Sequence, residues 1–201
     1  ADQNISVVNG SYEESVTINK TGLTLEGPNA GNGYEGRDAK DETTEAVIDG
    51  DVYINTDGVM FDGFTVEADS ATSAIEIDNL GTGQTATVQN NLVTGDGTLG
   101  IEINTDADSI TVDSNFINAS EASNGNGILV RPAASNATII DNRIYVLFPQ
   151  AEHEVAISDW AYDTVGVVEA RAGISVRAAV AVPIARLHGV PEARREVDRV
   201  L

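Results

Sequence analysis

Carboxylates recur at matching positions of a repeated pattern in this chain, and they are the first candidates for chemistry. Glu76 and Glu102 occupy the same place in two short alternating segments, and Asp113 follows in the next segment. Carboxylates stacked about 5 Å apart on neighbouring strands could hold Ca²⁺, or could act as an acid and a base. Arg131 is the basic residue best placed to stabilise an oxyanion beside them. With 32 acidic residues in the chain, solvated surface carboxylates are the simpler interpretation.

Aromatic and histidine residues near the carboxyl end offer weaker candidates. Trp160 and Tyr162, flanked by aspartates, could stack on sugar rings, although packing against the last coil of the fold is the simpler interpretation. His153 and His188 stand alone, without the spacing of metal ligands, and are expected at the surface.

Five segments match the acceptor pattern for N-linked glycosylation, more than the composition predicts by chance. The acceptor residues are Asn4, Asn9, Asn19, Asn118 and Asn136. This excess points to an exported surface glycoprotein.

The charge of the chain restricts its partners. A formal net charge of −21 and a pI near 4.1 disfavour nucleic acid and anionic lipid as partners. Either adaptation to concentrated salt or a cation-binding surface explains such acidity, and we expect the first. The chain has no cysteine, so it lacks disulfides and thiolate sites. It also has no apolar run long enough for a membrane span.

The elements that position these residues form a solenoid repeat. Four octads align without gaps at intervals of about 24 to 27 residues: 59–66, 86–93, 110–117 and 137–144. A short alternating strand precedes each later octad, at 74–77, 100–103 and 127–130. In these strands the isoleucines are expected to point inward, and Glu76, Glu102 and Leu129 outward. The sequence therefore predicts an all-β stack of coils, each with at least two strands.

Asparagines recur at one octad position. Asn91, Asn115 and Asn142 would stack along the axis as a structural ladder, with each buried amide bonded to its neighbours and to turn backbone.

The opening segments Gly10–Ile18, Leu23–Gly31 and Ala46–Gly50 resemble the first coils of secreted right-handed parallel β-helix proteins of the pectin-lyase-like fold. The resemblance covers roughly residues 5 to 146. It implies the fold but not the activity, because the family includes polysaccharide lyases, esterases, phage tailspikes and surface proteins. The family's catalytic motifs are not recognisable here.

We predict one β-helix domain over residues 1–170, with a loop insertion at about 30–45. Residues 171–201 form an atypical cap or tail that contains six of the eleven basic residues. Its end, from Pro191, is typical of a short amphipathic capping helix.

These features favour an extracellular or cell-surface β-helix module, non-enzymatic, with a structural or adhesive role and contact to glycans. It would need no cofactor, although its carboxylates could take Ca²⁺. One alternative is a secreted enzyme acting on acidic polysaccharide through Glu76, Glu102, Asp113 and Arg131. Another is a subunit of a surface filament or viral spike that self-assembles through its edges.

Overall fold

The computed structural model describes residues 3–39, 41–68, 73–95, 99–107, 109–118, 126–131, 137–146, 175–177 and 180–183. These residues form nineteen β-strands and no helix. They accordingly include no helix with the length and hydropathy that a membrane crossing requires.

Three parallel sheets contain all of these strands. The first sheet holds β1 (Gln3–Ser6), β4 (Leu23–Glu26), β7 (Val59–Asp62), β10 (Thr85–Gln89), β13 (Ser109–Asp113), β16 (Ala137–Ile140) and β18 (Ser175–Arg177). The second sheet holds β2 (Gly10–Tyr12), β5 (Ala46–Asp49), β8 (Thr65–Ala68), β11 (Leu92–Gly95), β14 (Phe116–Asn118), β17 (Arg143–Val146) and β19 (Val180–Pro183). The third sheet holds β3 (Val16–Ile18), β6 (Val52–Ile54), β9 (Ser73–Asp78), β12 (Leu99–Asn104) and β15 (Asn126–Val130).

Each of the first five coils contributes one strand to each sheet in turn and then returns one level higher, and the described residues therefore form an all-β parallel β-helix solenoid. The octads align as predicted. Met60 pairs with Thr87, Thr87 with Thr111, and Thr111 with Thr138, all at the second octad position. The predicted solenoid is therefore confirmed, with three strands in every complete coil.

Each octad spans two strands, because its fifth residue turns the chain from the first sheet to the second. That residue has a positive φ in four consecutive coils: Gly63 (79°), Asn90 (53°), Ser114 (53°) and Asp141 (51°). Glycine adopts this left-handed conformation freely, and short polar side chains tolerate it better than branched ones. The bend is thus encoded by residue type in every octad.

Inward side chains form one continuous core along the axis. Ile75, Ile77, Ile101, Ile103 and Ile128 are fully buried, as their alternation predicted. Packing is tight enough to require glycine at Gly100 and at Gly127 in the third sheet. A Cβ on Gly100 would lie 2.4 Å from the backbone oxygen of the glycine one coil later, and 2.5 Å from a core isoleucine methyl.

The three ladder asparagines lie buried at the sixth octad position. The Oδ1 atom of Asn115 accepts hydrogen bonds from the backbone and side-chain nitrogens of Asn91, both at 3.0 Å. Asn142 repeats the arrangement with both nitrogens of Asn115 at 2.9 Å. Asn91 in turn accepts the backbone N–H of Phe64. Each coil is therefore tied to the next through a buried amide as well as through its strands.

The insertion between β4 and β5 packs back against the stack. We call residues 29–39 and 41–45 the strap. They lie beside the second sheet, where the outward residues Val47, Thr65 and Leu92 are nevertheless buried. The Tyr34 ring contacts that of Phe116 three coils along, with centroids 5.7 Å apart. The insertion therefore packs against the outer face of the second sheet.

A buried ion pair fixes the strap to the coils. Arg37 and Glu45 form a bidentate pair, with nitrogen to oxygen distances of 2.6 and 3.0 Å, and both side chains are almost completely buried. The same guanidinium donates to the carbonyl oxygens of Phe64 and Asn90, in the next two coils. Thr65 donates its hydroxyl to Glu45 at 2.9 Å. This pair thus connects the strap to the two coils that follow it.

Two strands of the segment 171–201 continue the stack. β18 pairs with β16 and β19 pairs with β17, both in parallel. The boundary at residue 170 stays a prediction, and the expected helix over 191–201 lies outside the described residues.

Candidate functional site

The outer face of the third sheet gathers most of the residues singled out for chemistry. Thr17, Tyr53, Glu76, Glu102 and Leu129 stand in register on five successive strands. We call this row the third-sheet strip. Neighbouring parallel strands lie about 4.8 Å apart, so Glu76 and Glu102 are direct neighbours. The predicted stacking of these two glutamates follows from the strand register alone.

Glu102 is held in place by two short hydrogen bonds. Its Oε1 accepts from Arg131 Nε at 2.6 Å, and its Oε2 accepts from the Ser73 hydroxyl at 2.6 Å. Glu102 is only 7% exposed, whereas the Arg131 side chain is 39% exposed. The Arg131 backbone N–H bonds to the carbonyl of Ile103, which positions the arginine beside the strip. Both oxygens of the Glu102 carboxylate therefore have a hydrogen-bond donor beside them.

Glu76 has a raised pKa. Partial burial raises the pKa of Glu76 above its usual value of 4.5, and the negative charges of Glu102, Asp78 and Asp51 raise it further, against the opposing effect of Arg131. Glu76 thus takes up a proton more readily than an ordinary glutamate, while the adjacent Glu102 is bound by an arginine. Such a pair can exchange a proton with a hydroxyl group of a bound ligand, and it can also form a hydrogen bond to that hydroxyl without proton transfer.

An aromatic ring stands next to this pair. Tyr53 is half-buried and donates its hydroxyl to Asp51 Oδ2 at 3.2 Å, so the ring has a fixed orientation beside Glu76. Asp51 is itself 7% exposed, and its backbone N–H bonds to the Ser15 hydroxyl. The ring, the glutamate pair and the arginine together make a polar surface with one apolar element, which suits contact with a sugar.

Sequence reasoning missed Ser73 and Asp51 in this arrangement. Neither residue is at one of the outward-facing strand positions that the repeat predicts, and neither belongs to a recognised motif. Asp51 has one local signal, because it directly follows a glycine, Gly50, at the entry to β6.

Asp113 lies elsewhere. It stands on the first sheet, in register with Gln89, which in turn pairs with Asp62. Its carboxylate accepts the hydroxyl of Ser114 at 2.8 Å. The four residues proposed as a catalytic group therefore separate: Glu76 and Glu102 lie on the third-sheet strip and Arg131 beside it, whereas Asp113 is on another sheet.

Asp62 corrects the expectation of solvated carboxylates along the first sheet. It is 4% exposed and accepts hydrogen bonds from Gln89, from Asn90 and from the backbone of Gly31 in the strap. Because the strap covers this position, the carboxylate serves the fold, at the place where Gly31 crosses the coil.

Three of the glycosylation candidates lie in the first coil. Asn4, Asn9 and Asn19 are exposed and all belong to the first coil, while Asn118 is half-buried on β14. Asn9 donates its amide to the carbonyl of Thr43 in the strap. The candidates Asn136, Trp160 and Tyr162, with His153 and His188, lie outside the described residues.

Across the part of the chain that the structure describes, no group of three or more His, Asp or Glu side chains is arranged to hold a metal ion. Binding of Ca²⁺ therefore stays a prediction.

Register and hydrogen bonding define the class of this protein as a parallel β-helix solenoid with a strapped second sheet. No protein-family model matches the chain, and searches of curated proteins and of solved structures also find no match.

Proposed function

We propose that the chain is an extracellular or cell-surface β-helix module with a structural or adhesive role, which contacts glycans through the third-sheet strip. The observation that carries this proposal is that the charged side chains already form hydrogen bonds within the protein. Glu102, Arg131 and Asp62 are tied into hydrogen bonds that hold the fold, which favours a preformed binding surface over a reacting centre. A fixed ring and a fixed glutamate suit recognition of sugar rings and hydroxyls.

Mechanical rigidity supports the structural part of the role. Among the described residues, every buried side-chain nitrogen and oxygen has a hydrogen-bond partner. The asparagine ladder and the strap link successive coils by contacts that a sliding or opening motion would break. A stack with such cross-links resists bending, which is what a surface module needs.

The pectin-lyase-like relationship is part of the same proposal. Three parallel sheets with short connections agree with that family's architecture. Right-handed winding is expected because crossovers between parallel strands are right-handed in about 98% of cases.

The proposed location rests on charge and on glycosylation. A net charge of −21 keeps a chain hydrated in concentrated salt, where a short Debye length screens its self-repulsion. Exposed acceptor asparagines on the first coil agree with export.

A binding and turnover panel tests this function. The protein, in concentrated salt, is titrated with uronate-containing and neutral polysaccharides, while chain cleavage and released ester are followed. We expect binding without turnover, and we expect Tyr53→Ala to weaken it by about fivefold to tenfold, the loss of roughly 1 kcal/mol of ring contact. Asp113→Asn, an outward carboxylate on another sheet, is the matched control. An intact fold that binds no glycan would contradict the adhesive role.

A second candidate function is cleavage of acidic polysaccharide. The convergence of Glu76, Glu102 and Arg131 favours it, since the pKa of Glu76 is raised and Glu102 is bound by a cation. In the same panel, turnover that Glu76→Gln abolishes and Asp113→Asn preserves would make the protein an enzyme. Turnover that survives both substitutions would place the reacting groups away from the strip.

A further inference from the structure

Asparagine followed by glycine is the dipeptide in which a protein backbone most readily modifies itself. The glycine nitrogen can attack the side-chain amide of the preceding asparagine, and glycine leaves the approach open because it has no side chain. Aspartate–glycine pairs cyclise by the same route. Five such pairs lie wholly among the residues and side chains that the structure describes: Asn9–Gly10, Asn32–Gly33, Asp49–Gly50, Asp57–Gly58 and Asp62–Gly63.

Four of these five pairs have their glycine nitrogen held by the fold. In each of the four, the glycine N–H donates to a backbone carbonyl oxygen further along the stack. The acceptors, with their nitrogen to oxygen distances, are Glu45 (2.8 Å) for Gly10, Glu67 (3.1 Å) for Gly50, Thr85 (2.8 Å) for Gly58 and Gln89 (3.2 Å) for Gly63. A nitrogen bonded in this way must give up its hydrogen bond before it can turn towards the preceding side chain. These four pairs are therefore protected.

The pair Asn32–Gly33, in the strap, lacks this protection. Both residues are exposed, and within the described part of the chain neither the Gly33 N–H nor the Asn32 side-chain amide has a hydrogen-bond partner. A Cβ added to Gly33 would meet nothing within 4 Å, so the space beside this glycine is open. Asn9 is also exposed, but its side-chain amide donates to the carbonyl of Thr43 at 2.9 Å. Hydrogen bonding, and not exposure, therefore distinguishes the two asparagines.

We propose that Asn32 is a modification site, at which the strap deamidates through a cyclic imide. The Gly33 nitrogen gives its proton to solvent and forms a bond to Asn32 Cγ, and the side-chain nitrogen of Asn32 leaves as ammonia. Water then opens the ring at one of its two carbonyl carbons. Opening at Cγ leaves an ordinary aspartate, whereas opening at the backbone carbonyl leaves an isoaspartate, whose backbone runs through the former side chain. The net change is one water taken up and one ammonia released, without oxidation or reduction. This inference does not depend on glycan contact.

Isoaspartate lengthens the strap between two of its attachments to the coils. Before the site, the Gly31 N–H donates to Asp62 Oδ1 at 3.2 Å, and after it the Tyr34 ring contacts that of Phe116. Only Asn32 and Gly33 separate these two attachments, so an added methylene group in the backbone must move one of them. The modification therefore loosens the cover over the second sheet.

Peptide mapping by mass spectrometry tests the site, after the folded, unglycosylated protein has been incubated at mildly alkaline pH. Cleavage after Lys20 and Arg37 places Asn9 and Asn32 on different peptides, and fragmentation locates the change from amide to acid. Isoaspartate gives a second peptide of the same mass that elutes separately. We expect Asn32 to be converted at least about tenfold faster than Asn9, whose glycine nitrogen is hydrogen-bonded. In concentrated denaturant, where the fold no longer protects Asn9, the two rates should be similar.

Gly33→Ala is the matched control, because it places a methyl group beside the attacking nitrogen in space that the fold leaves open. It should slow the conversion of Asn32 to about the rate at Asn9 without changing the melting temperature. Hydrogen exchange of the aged parent protein should be faster in the strap than that of aged Gly33→Ala. Equal rates at Asn32 and Asn9 in the folded protein would overturn the proposal. So would an Asn32 that reacts only in denaturant, or one that reacts equally fast in Gly33→Ala.

Discussion

Removing one rung of the asparagine ladder should destabilise the solenoid far more than a surface substitution. The Asn115 side chain is fully buried and takes part in four hydrogen bonds: two from Asn91, one to the carbonyl of Val88 and one to Asn142. At about 1 kcal/mol for each bond, with a further penalty for the orphaned N–H of Asn91, Asn115→Ala should cost about 3–5 kcal/mol. That loss is a large share of the roughly 5–15 kcal/mol that stabilises a typical domain.

Denaturant unfolding followed by circular dichroism measures this loss, and hydrogen exchange shows where it acts. Asn19→Ala, an exposed asparagine, is the control and should change stability by less than about 0.5 kcal/mol. Asn115→Asp keeps the size but cannot donate while ionised, so it should be destabilising at neutral pH and partly recover as pH falls. If Asn115→Ala costs no more than Asn19→Ala, the ladder does not stabilise the stack and the reasoning fails.

Three further predictions follow from the strip, the strap and the core. Because the pKa of Glu76 is raised in the folded state, its contribution to stability is present well below 4.5 and is lost as pH rises. The melting temperature of Glu76→Gln minus that of the parent should therefore be more positive at neutral pH than at acidic pH. A difference that does not change with pH would contradict this. Arg37→Met leaves the buried carboxylate of Glu45 without its cation and should cost about 3–5 kcal/mol by denaturant unfolding. Adding Glu45→Gln should recover part of that loss, and a fully additive double variant would refute the coupling. Gly100→Ala should cost about 1–3 kcal/mol through overpacking, whereas Gly33→Ala, which has open space around its Cβ, should be nearly neutral in the same assay.

The coil and its register could be predicted from the sequence because stacked coils place like residues on top of one another. The second strand of each coil was not predicted separately, because it lies within the octad. Apolar or asparagine residues face inward at octad positions one, three, six and eight, as in Ile110, Val112, Asn115 and Ile117. The inward-facing side chains are at odd positions before the bend and at even positions after it. The residue at position five, with its left-handed backbone conformation, causes this change. A search for strict alternation therefore does not locate this bend.

The glutamate neighbours of the site could be predicted for the same reason, whereas their partners could not. Glu76 and Glu102 are related by one coil, so the repeat places them together. Ser73 reaches Glu102 from the start of a neighbouring strand, and Arg131 does so from just beyond β15. Contacts of this kind depend on the chain path at strand ends, which no periodic pattern records. The same holds for Arg37, whose partners lie in three different coils.

The distribution of outward residues explains why a ligand should meet the third sheet and not the second. A solvent-facing ladder of Val47, Thr65 and Leu92 would expose apolar surface on three coils, and the strap removes that cost by covering it. When the outward-facing residues of successive strands are apolar and a long insertion lies nearby, the sequence indicates that the insertion covers them. The third sheet has Tyr53 and Glu76 half-exposed in the corresponding row. Its outer face therefore keeps side chains available for contact, and substitutions on the strap should change stability without changing glycan binding.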